Sequence, residues 1–194
     1  MVSSYLFLLL AVIVQRLLEV RISRTNEAEL RELGAREHAA EQMPIMIALH
    51  ATWLVSCLLE VWLFHRPLTR WLALTSLVLF CAGQALRIFA ISALGNRWTV
   101  KVITVPGKPP VVGGIFRYLR HPNYVGVVLE IFALPLIHGA YLTAILFSIA
   151  NGLLLQRRIR AEEAALNEDN DYSERFRDLP RMVPKLSSLR PHGE

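Results

Sequence analysis

A chain of 194 residues is long enough for one domain, and at 54% hydrophobic residues and mean hydropathy +0.38 it carries more apolar surface than a soluble core of that size buries. The formal charge of +5 and pI near 9.6 would suit a nucleic-acid binder, but the basic residues fall between long apolar runs, so their placement reads as membrane topology. Cys57 and Cys81 lie inside apolar runs without a CxxC or His-spaced partner, which excludes a disulfide framework and a zinc site and marks both as buried small hydrophobes.

Apolar stretches of spanning length cover residues 2–20, 44–64 and 71–94, each near the 20 residues that cross about 30 Å of hydrocarbon. Two shorter ones, 124–137 and 141–155, are separated by the His138-Gly139 break and read as a helical hairpin that crosses by tilting or by thinning the bilayer. The first stretch lacks the basic start and small-residue end of a cleaved signal. The expected fold class is therefore an all-α integral membrane protein of about five transmembrane helices, forming a single domain over 1–194.

Lys and Arg crowd the first loop (Arg21, Arg24, Arg31, Arg36), the third (Arg97, Lys101, Lys108, Arg117, Arg120) and the tail from Arg157 onward. The second loop holds only Arg66 and Arg70, so the positive-inside rule puts the N-terminus outside and the tail in the cytoplasm. The loop 25–42 is charged and helix-forming, with Asn26 as its N-cap and Gly34 as an interruption, and reads as an interfacial amphipathic connector.

Several polar residues fall within spans. Gln15, Arg16 and Glu19 read as snorkelling near the cytoplasmic end, with Arg16 and Glu19 spaced as a same-face pair. His50, Glu60 and Gln84 sit deeper, as does Arg87. A guanidinium at that depth needs a carboxylate such as Glu130 or a polar pocket, and both options stay open.

The chemistry concentrates after the third span. In Arg120-His121-Pro122-Asn123-Tyr124-Val125-Gly126, Pro122 stands where a helix has its first residue. The unpaired backbone N–H groups of that helix start, with Arg120, His121 and Lys101 nearby, make an anion-binding turn. Beyond the hairpin, Arg157-Arg158-Ile159-Arg160-Ala161-Glu162-Glu163 runs out of the fifth span, and on a continuing helix Arg158 and Glu162 share a face. The hairpin folds the His121 turn back towards Arg158 at the same membrane face.

Together with a tail containing Tyr172, Phe176 and Arg181-Met182-Val183-Pro184, these motifs resemble the isoprenylcysteine carboxyl methyltransferase family over the C-terminal half of the chain. The resemblance divides the chain into a 1–96 portion of three spans and a 97–194 cofactor-binding half. It implies a cytoplasmic S-adenosylmethionine pocket, releasing S-adenosylhomocysteine, built by the loop before span four, the hairpin and the tail. It also implies a lipophilic or prenylated acceptor arriving sideways from the bilayer. By position, Lys101, Val111, Phe116, His121, Pro122, Asn123, Tyr124 and Glu162 would line the cofactor pocket. Arg158 would approach the acceptor, and Arg158 and Glu162 would act in catalysis, with no metal. Phe116 stands where the family often has Tyr, removing a hydroxyl contact. The likeness is strongest to short bacterial members, some of which O-methylate phenolic or pyrone lipids. Two other readings remain: a sterol-reductase-like NADPH enzyme, which shares the hairpin and the R-H-P-x-Y turn, and a non-enzymatic membrane transport or assembly protein.

Overall fold

The computed structural model describes residues 2–170 and 172–182, so Val183 and Pro184 of the tail motif lie outside it. The apolar runs become helices α1 (Val2–Glu32), α2 (Gln42–Leu63), α3 (Arg70–Leu94), α4 (Pro122–Leu136) and α5 (Tyr141–Asp169), followed by the short α6 (Tyr172–Arg175). Helices α2 to α5 begin where hydropathy predicts apolar segments. The first helix runs much further, because Glu, Ala, Leu and Arg after Val20 favour helix and nothing breaks it before Gly34, which takes a left-handed φ of +77°. The interfacial connector capped by Asn26 is thus corrected: Asn26 sits inside α1, and its amide donates to the Trp98 carbonyl at 2.7 Å.

The all-α expectation needs a second correction. Arg36–His38 (β1) pairs antiparallel with Val102–Thr104 (β2), opposing Arg36 to Thr104 and His38 to Val102. Three-residue strands are too short to show a period in sequence, and they pair across more than 60 residues. Asp169, at the end of α5, fastens this ribbon: it accepts from the Thr104 hydroxyl and meets Arg36 at 3.2 Å.

Helix direction alternates. Tyr5, near the start of α1, donates to the carbonyl of Leu134, near the end of α4, at 3.1 Å. Glu60, near the end of α2, accepts from the backbone N–H groups of Leu142 and Thr143 at 3.1 and 2.7 Å, so a buried carboxylate from one helix caps the first turn of another. The core unites α1, α2, α4 and α5 through Leu9, Trp53, Cys57, Ile131, Leu134 and Leu155. Cys81, in contrast to Cys57 and to expectation, faces outward from α3.

Large apolar side chains cover the outside, among them Phe7, Leu17, Trp62, Trp71, Phe89, Leu146 and Leu153, each more than half exposed. That is far more exposed hydrocarbon than a water-facing surface carries, and it suits lipid. Helices α2 and α3 have the length and hydropathy to cross a bilayer unaided. Helix α4 has 15 residues, about 22 Å at 1.5 Å per residue, so its ends cannot both reach the surface of an undistorted membrane if it stands upright.

The polar residues of α1 do not snorkel. Arg16 meets Glu19 at 2.7 Å and also pairs with Glu130 of α4; Arg87 of α3 contacts Glu19 at 2.5 Å and Glu130 at 3.2 Å. Gln15 and Gln84 exchange hydrogen bonds of 2.8 and 3.0 Å beside them. Two cations and two anions thus neutralise one another between three helices, where leaving one unpaired would be costly.

Helices α3 and α4 touch through glycines. A Cβ on Gly126 would stand 2.5 Å from Arg87 Cγ and 2.7 Å from the Gly83 carbonyl oxygen, whereas one on Gly152 of α5 would meet nothing within 4 Å. Gly126→Ala is expected to lower the thermal unfolding midpoint in detergent by the equivalent of about 1–3 kcal/mol of overpacking. Gly152→Ala should leave it unchanged or raise it slightly. Equal midpoints for the two variants would contradict the close crossing.

Candidate functional site

A cavity of about 810 Å³ opens where the polar ends of α1, α3, α4 and α5 converge with the start of α2. Its walls include Lys101, Val111, Phe116, His121, Pro122, Asn123, Tyr124, Arg158 and Glu162, every residue that the sequence singles out as a site candidate. His121 and Arg158, 37 positions apart in sequence, therefore share one cavity at one end of the bundle.

The α4–α5 hairpin produces this meeting. Gly139, at φ +73°, turns the chain between the helices, and α5 continues unbroken past the apolar stretch, so Asn151, Leu155, Arg158, Glu162 and Leu166 form one stripe facing the cavity. Tyr124, in the first turn of α4, links the two motifs. Its hydroxyl donates to Glu162 and accepts from Arg158 Nε at 3.0 Å, while Arg158 also donates to the Val100 carbonyl. Arg158 and Glu162 thus communicate through a phenol rather than by a direct ion pair.

His121 stacks on Tyr124 with ring centroids 5.5 Å apart, and its Nε2 lies 3.1 Å from Glu163. Because an ionised carboxylate only accepts, Nε2 carries the proton. Glu163 also receives Arg181 from the tail through two hydrogen bonds of 3.0 and 2.6 Å. Backbone bonds complete the clamp: the N–H groups of Arg120 and His121 donate to the carbonyls of Pro180 and Arg181, each at 3.0 Å. The tail thereby covers the turn before α4. Burial opposes ionisation of Glu163, but its hydrogen bonds from His121 and Arg181 prevail and hold its carboxyl at about 2, below the ordinary 4.5.

The wall on the tail side is aromatic. Phe116, Tyr172 and Phe176 cluster with Ala90, and the Tyr172 hydroxyl is buried without a hydrogen-bond partner among the described residues, its phenol pushed upward by burial. An unsatisfied buried hydroxyl beside tilted, closely packed rings suits a ligand with a flat heterocycle and polar edges. Lys101 lines the cavity as well, but its ammonium meets Glu37 at 3.1 Å and Glu27 at 3.3 Å, and those carboxylates raise its pKa. Arg87, paired with Glu130, also reaches the site through Asn123, to whose side-chain oxygen it donates at 3.2 Å. The positioning part played by Glu163 was readable only as the second glutamate of the motif, and Tyr172 only as a tail aromatic.

The other end of the cavity is mainly apolar, walled by Ile13 and Leu17 of α1, Met46, Ile47 and Leu54 of α2, and Val127 of α4, with Arg16, His50 and Asn151 as polar groups among them. Ile47 and Leu17 are themselves exposed on the lipid-facing surface. The chamber thus joins a polar, aromatic-walled end to a hydrocarbon-lined one, with Tyr124, Arg158 and Glu162 between them.

Known proteins resemble this chain. Residues 75–168 match the isoprenylcysteine carboxyl methyltransferase (ICMT) family. An uncharacterized Bacillus subtilis protein, YpbQ, is 40% identical over 164 residues, covering 84% of this chain and 96% of that protein. The protein-S-isoprenylcysteine O-methyltransferase of Schizosaccharomyces pombe is 29% identical over 116 residues, 58% of this chain and 49% of the yeast enzyme. Among solved structures, the eukaryotic intramembrane Ras methyltransferase ICMT superposes with a TM-score of 0.59 at 21% identity, covering 76% of this chain and 55% of that one. This chain spans about half the length of the two named methyltransferases that it matches.

The depressed carboxyl of Glu163 makes the tail clamp acid-sensitive. Its contribution is fully present above the ordinary carboxylate value of 4.5 and is lost as pH falls through about 2. Tail proteolysis measured from pH 7 to pH 2 should therefore accelerate below pH 4.5 in the wild type. In Glu163→Gln it should be fast already at pH 7, with a flatter profile. Identical profiles would contradict the clamp.

Proposed function

We propose that this chain, which belongs to the isoprenylcysteine carboxyl methyltransferase family, transfers a methyl group from S-adenosyl-L-methionine to an oxygen of a lipophilic acceptor entering from the bilayer. The observation that carries this reading is the Arg158–Tyr124–Glu162 chain at the junction of the aromatic and hydrocarbon ends of one cavity. A membrane reductase or a transport subunit gives no reason for a polar relay at that junction, and family membership favours the methyltransferase.

When bound, S-adenosylmethionine supplies a methyl activated on a sulfonium sulfur. Phe116, Tyr172 and Phe176 would hold its adenine, with the free Tyr172 hydroxyl as a polar contact; the helix start at Pro122 and Asn123 would face its anionic end. Glu162, the carboxylate nearest the junction, would face the positive sulfur. In-line displacement asks mainly for alignment and a water-poor site, which the tail clamp and the lipid-side walls provide. Arg158 would orient the acceptor oxygen. For a carboxylate acceptor a charged contact suffices; for a phenol, Glu162 would take the proton, directly or through the Tyr124 hydroxyl. His121, occupied by Glu163, serves better as the post that holds Tyr124 than as a base. The positive-inside distribution supports a cytoplasmic position for this end of the bundle, with the N-terminus outside.

Equilibrium binding to the detergent-purified protein tests the reading: S-adenosylmethionine should bind saturably and NADPH should not. The reverse result would overturn it. Glu162→Gln should reduce methyl transfer at least ~100-fold, in line with loss of a charged group at the reacting centre, while the protein stays folded. A wild-type rate would remove Glu162 from the reaction. A turnover rate that follows acceptor ionisation or an enzyme base would mark a phenol, and a flat profile from mild acid upward a carboxylate.

A further inference from the structure

The cavity meets the lipid at the cleft between α1 and α2. Ile13, Leu17, Val20 and Arg24 recur at helical spacing, so they lie along one face of α1, and all four line the cavity. Leu17 is 64% exposed, and Ile47, on the α2 side of the cleft, is 62% exposed. Arg24 stands seven residues beyond Leu17, about 10 Å further along the helix, so the hydrocarbon stripe ends in a guanidinium. Arg97 joins it at this rim. It lines the same cavity, and Asn26, two positions after Arg24, donates to the carbonyls of Gly95 and Trp98 on either side of Arg97. Arg97 donates to the Pro109 carbonyl, and neither arginine meets a carboxylate among the described residues. The acidic residues nearby in sequence are engaged elsewhere: Glu27 and Glu37 hold Lys101, and Glu29 accepts from Asn96. Two guanidinium groups thus overlook a mainly hydrocarbon-lined cleft with no counter-charge of their own.

Apolar walls open to a bilayer are covered by acyl chains, and an uncompensated pair of cations at the rim favours an anionic headgroup over a zwitterionic one. A guanidinium also presents a fork of N–H donors that matches two phosphate oxygens. We infer that the α1–α2 cleft is a binding site for one anionic phospholipid, its phosphate held by Arg24 and Arg97 and one acyl chain lying against Leu17 and Ile47. The lipid occupies the cleft when no other amphiphile does and keeps water from that end of the chamber. The site is independent of the methyltransferase reading, because its ligand is a component of the membrane and its test involves no methyl transfer.

Native mass spectrometry of the detergent-purified full chain, titrated with dioleoylphosphatidylglycerol or dioleoylphosphatidylcholine, tests the site. The wild type is expected to retain one phosphatidylglycerol with at least ~10-fold higher affinity than phosphatidylcholine. In Arg24→Gln/Arg97→Gln that preference should fall below about twofold, with an unchanged thermal unfolding midpoint showing that the variant is folded. Arg24→Gln alone, at an exposed position that bonds no described residue, should lower it at least ~3-fold. Arg157→Gln/Arg160→Gln removes two exposed arginines that stand at the same end of the bundle but do not line the cavity, and should keep the full preference. Glycerophosphoglycerol, the headgroup without chains, should not displace the lipid at millimolar concentration. Equal affinity of the wild type for the two lipids, a preference that survives in the Arg24 and Arg97 variants, an equal loss in the α5 variant, or displacement by the chainless headgroup overturns the site.

Discussion

The Tyr124 hydroxyl lies in the protein interior, donating a hydrogen bond to Glu162 and accepting one from Arg158. A phenol has one hydrogen to donate and lone pairs to accept with, so this arrangement fixes the direction of both bonds and joins two helices whose motifs are more than 30 residues apart. The remaining features of the site depend on it. The stacked His121 keeps the Tyr124 ring in place, Glu163 keeps His121 in place, and Arg181 brings the tail down on Glu163. Each bond in the series is charge-assisted or shielded from water, the setting in which such interactions are strongest.

A second polar system supports the first from within the bundle. Arg16, Glu19, Arg87 and Glu130 balance their charges between α1, α3 and α4, and Arg87 extends the system to Asn123 at the helix start that faces the cavity. The glycine crossing of Gly83 and Gly126 allows this, because a side chain on Gly126 would occupy the space through which the Arg87 stem passes. Close backbone approach and a buried guanidinium are therefore one structural feature. Replacing either would leave charges without partners in a region that hydrates them poorly.

Helices α2 to α5 and the hairpin turn are legible because hydropathy and the His138-Gly139 break are local signals. The convergence of the Arg120–Tyr124 turn with Arg158 and Glu162 was legible because helical periodicity carries one face of α5 past the end of its apolar stretch. What could not be read were partnerships set only by packing. The length of α1 is not legible, because the charged residues after Val20 mark an interfacial boundary by hydropathy while helix propensity continues through them. The β1–β2 ribbon was missed because three residues carry no period. Arg16 looked like a snorkelling cation because its partner Glu130 lies 114 residues away on another helix. Lys101 lines the cavity, yet its ammonium is committed to Glu27 and Glu37, neither of which the sequence connects with it.

The central claim is that one chamber holds donor and acceptor on either side of the Arg158–Tyr124–Glu162 chain. The most direct measurement is an experimental structure of the chain with S-adenosylhomocysteine. The account predicts the adenine against Phe116, Tyr172 and Phe176, and the sulfur next to Glu162, facing the hydrocarbon-lined end. Ligand density elsewhere on the protein, or a sulfur pointing away from that end, would contradict it.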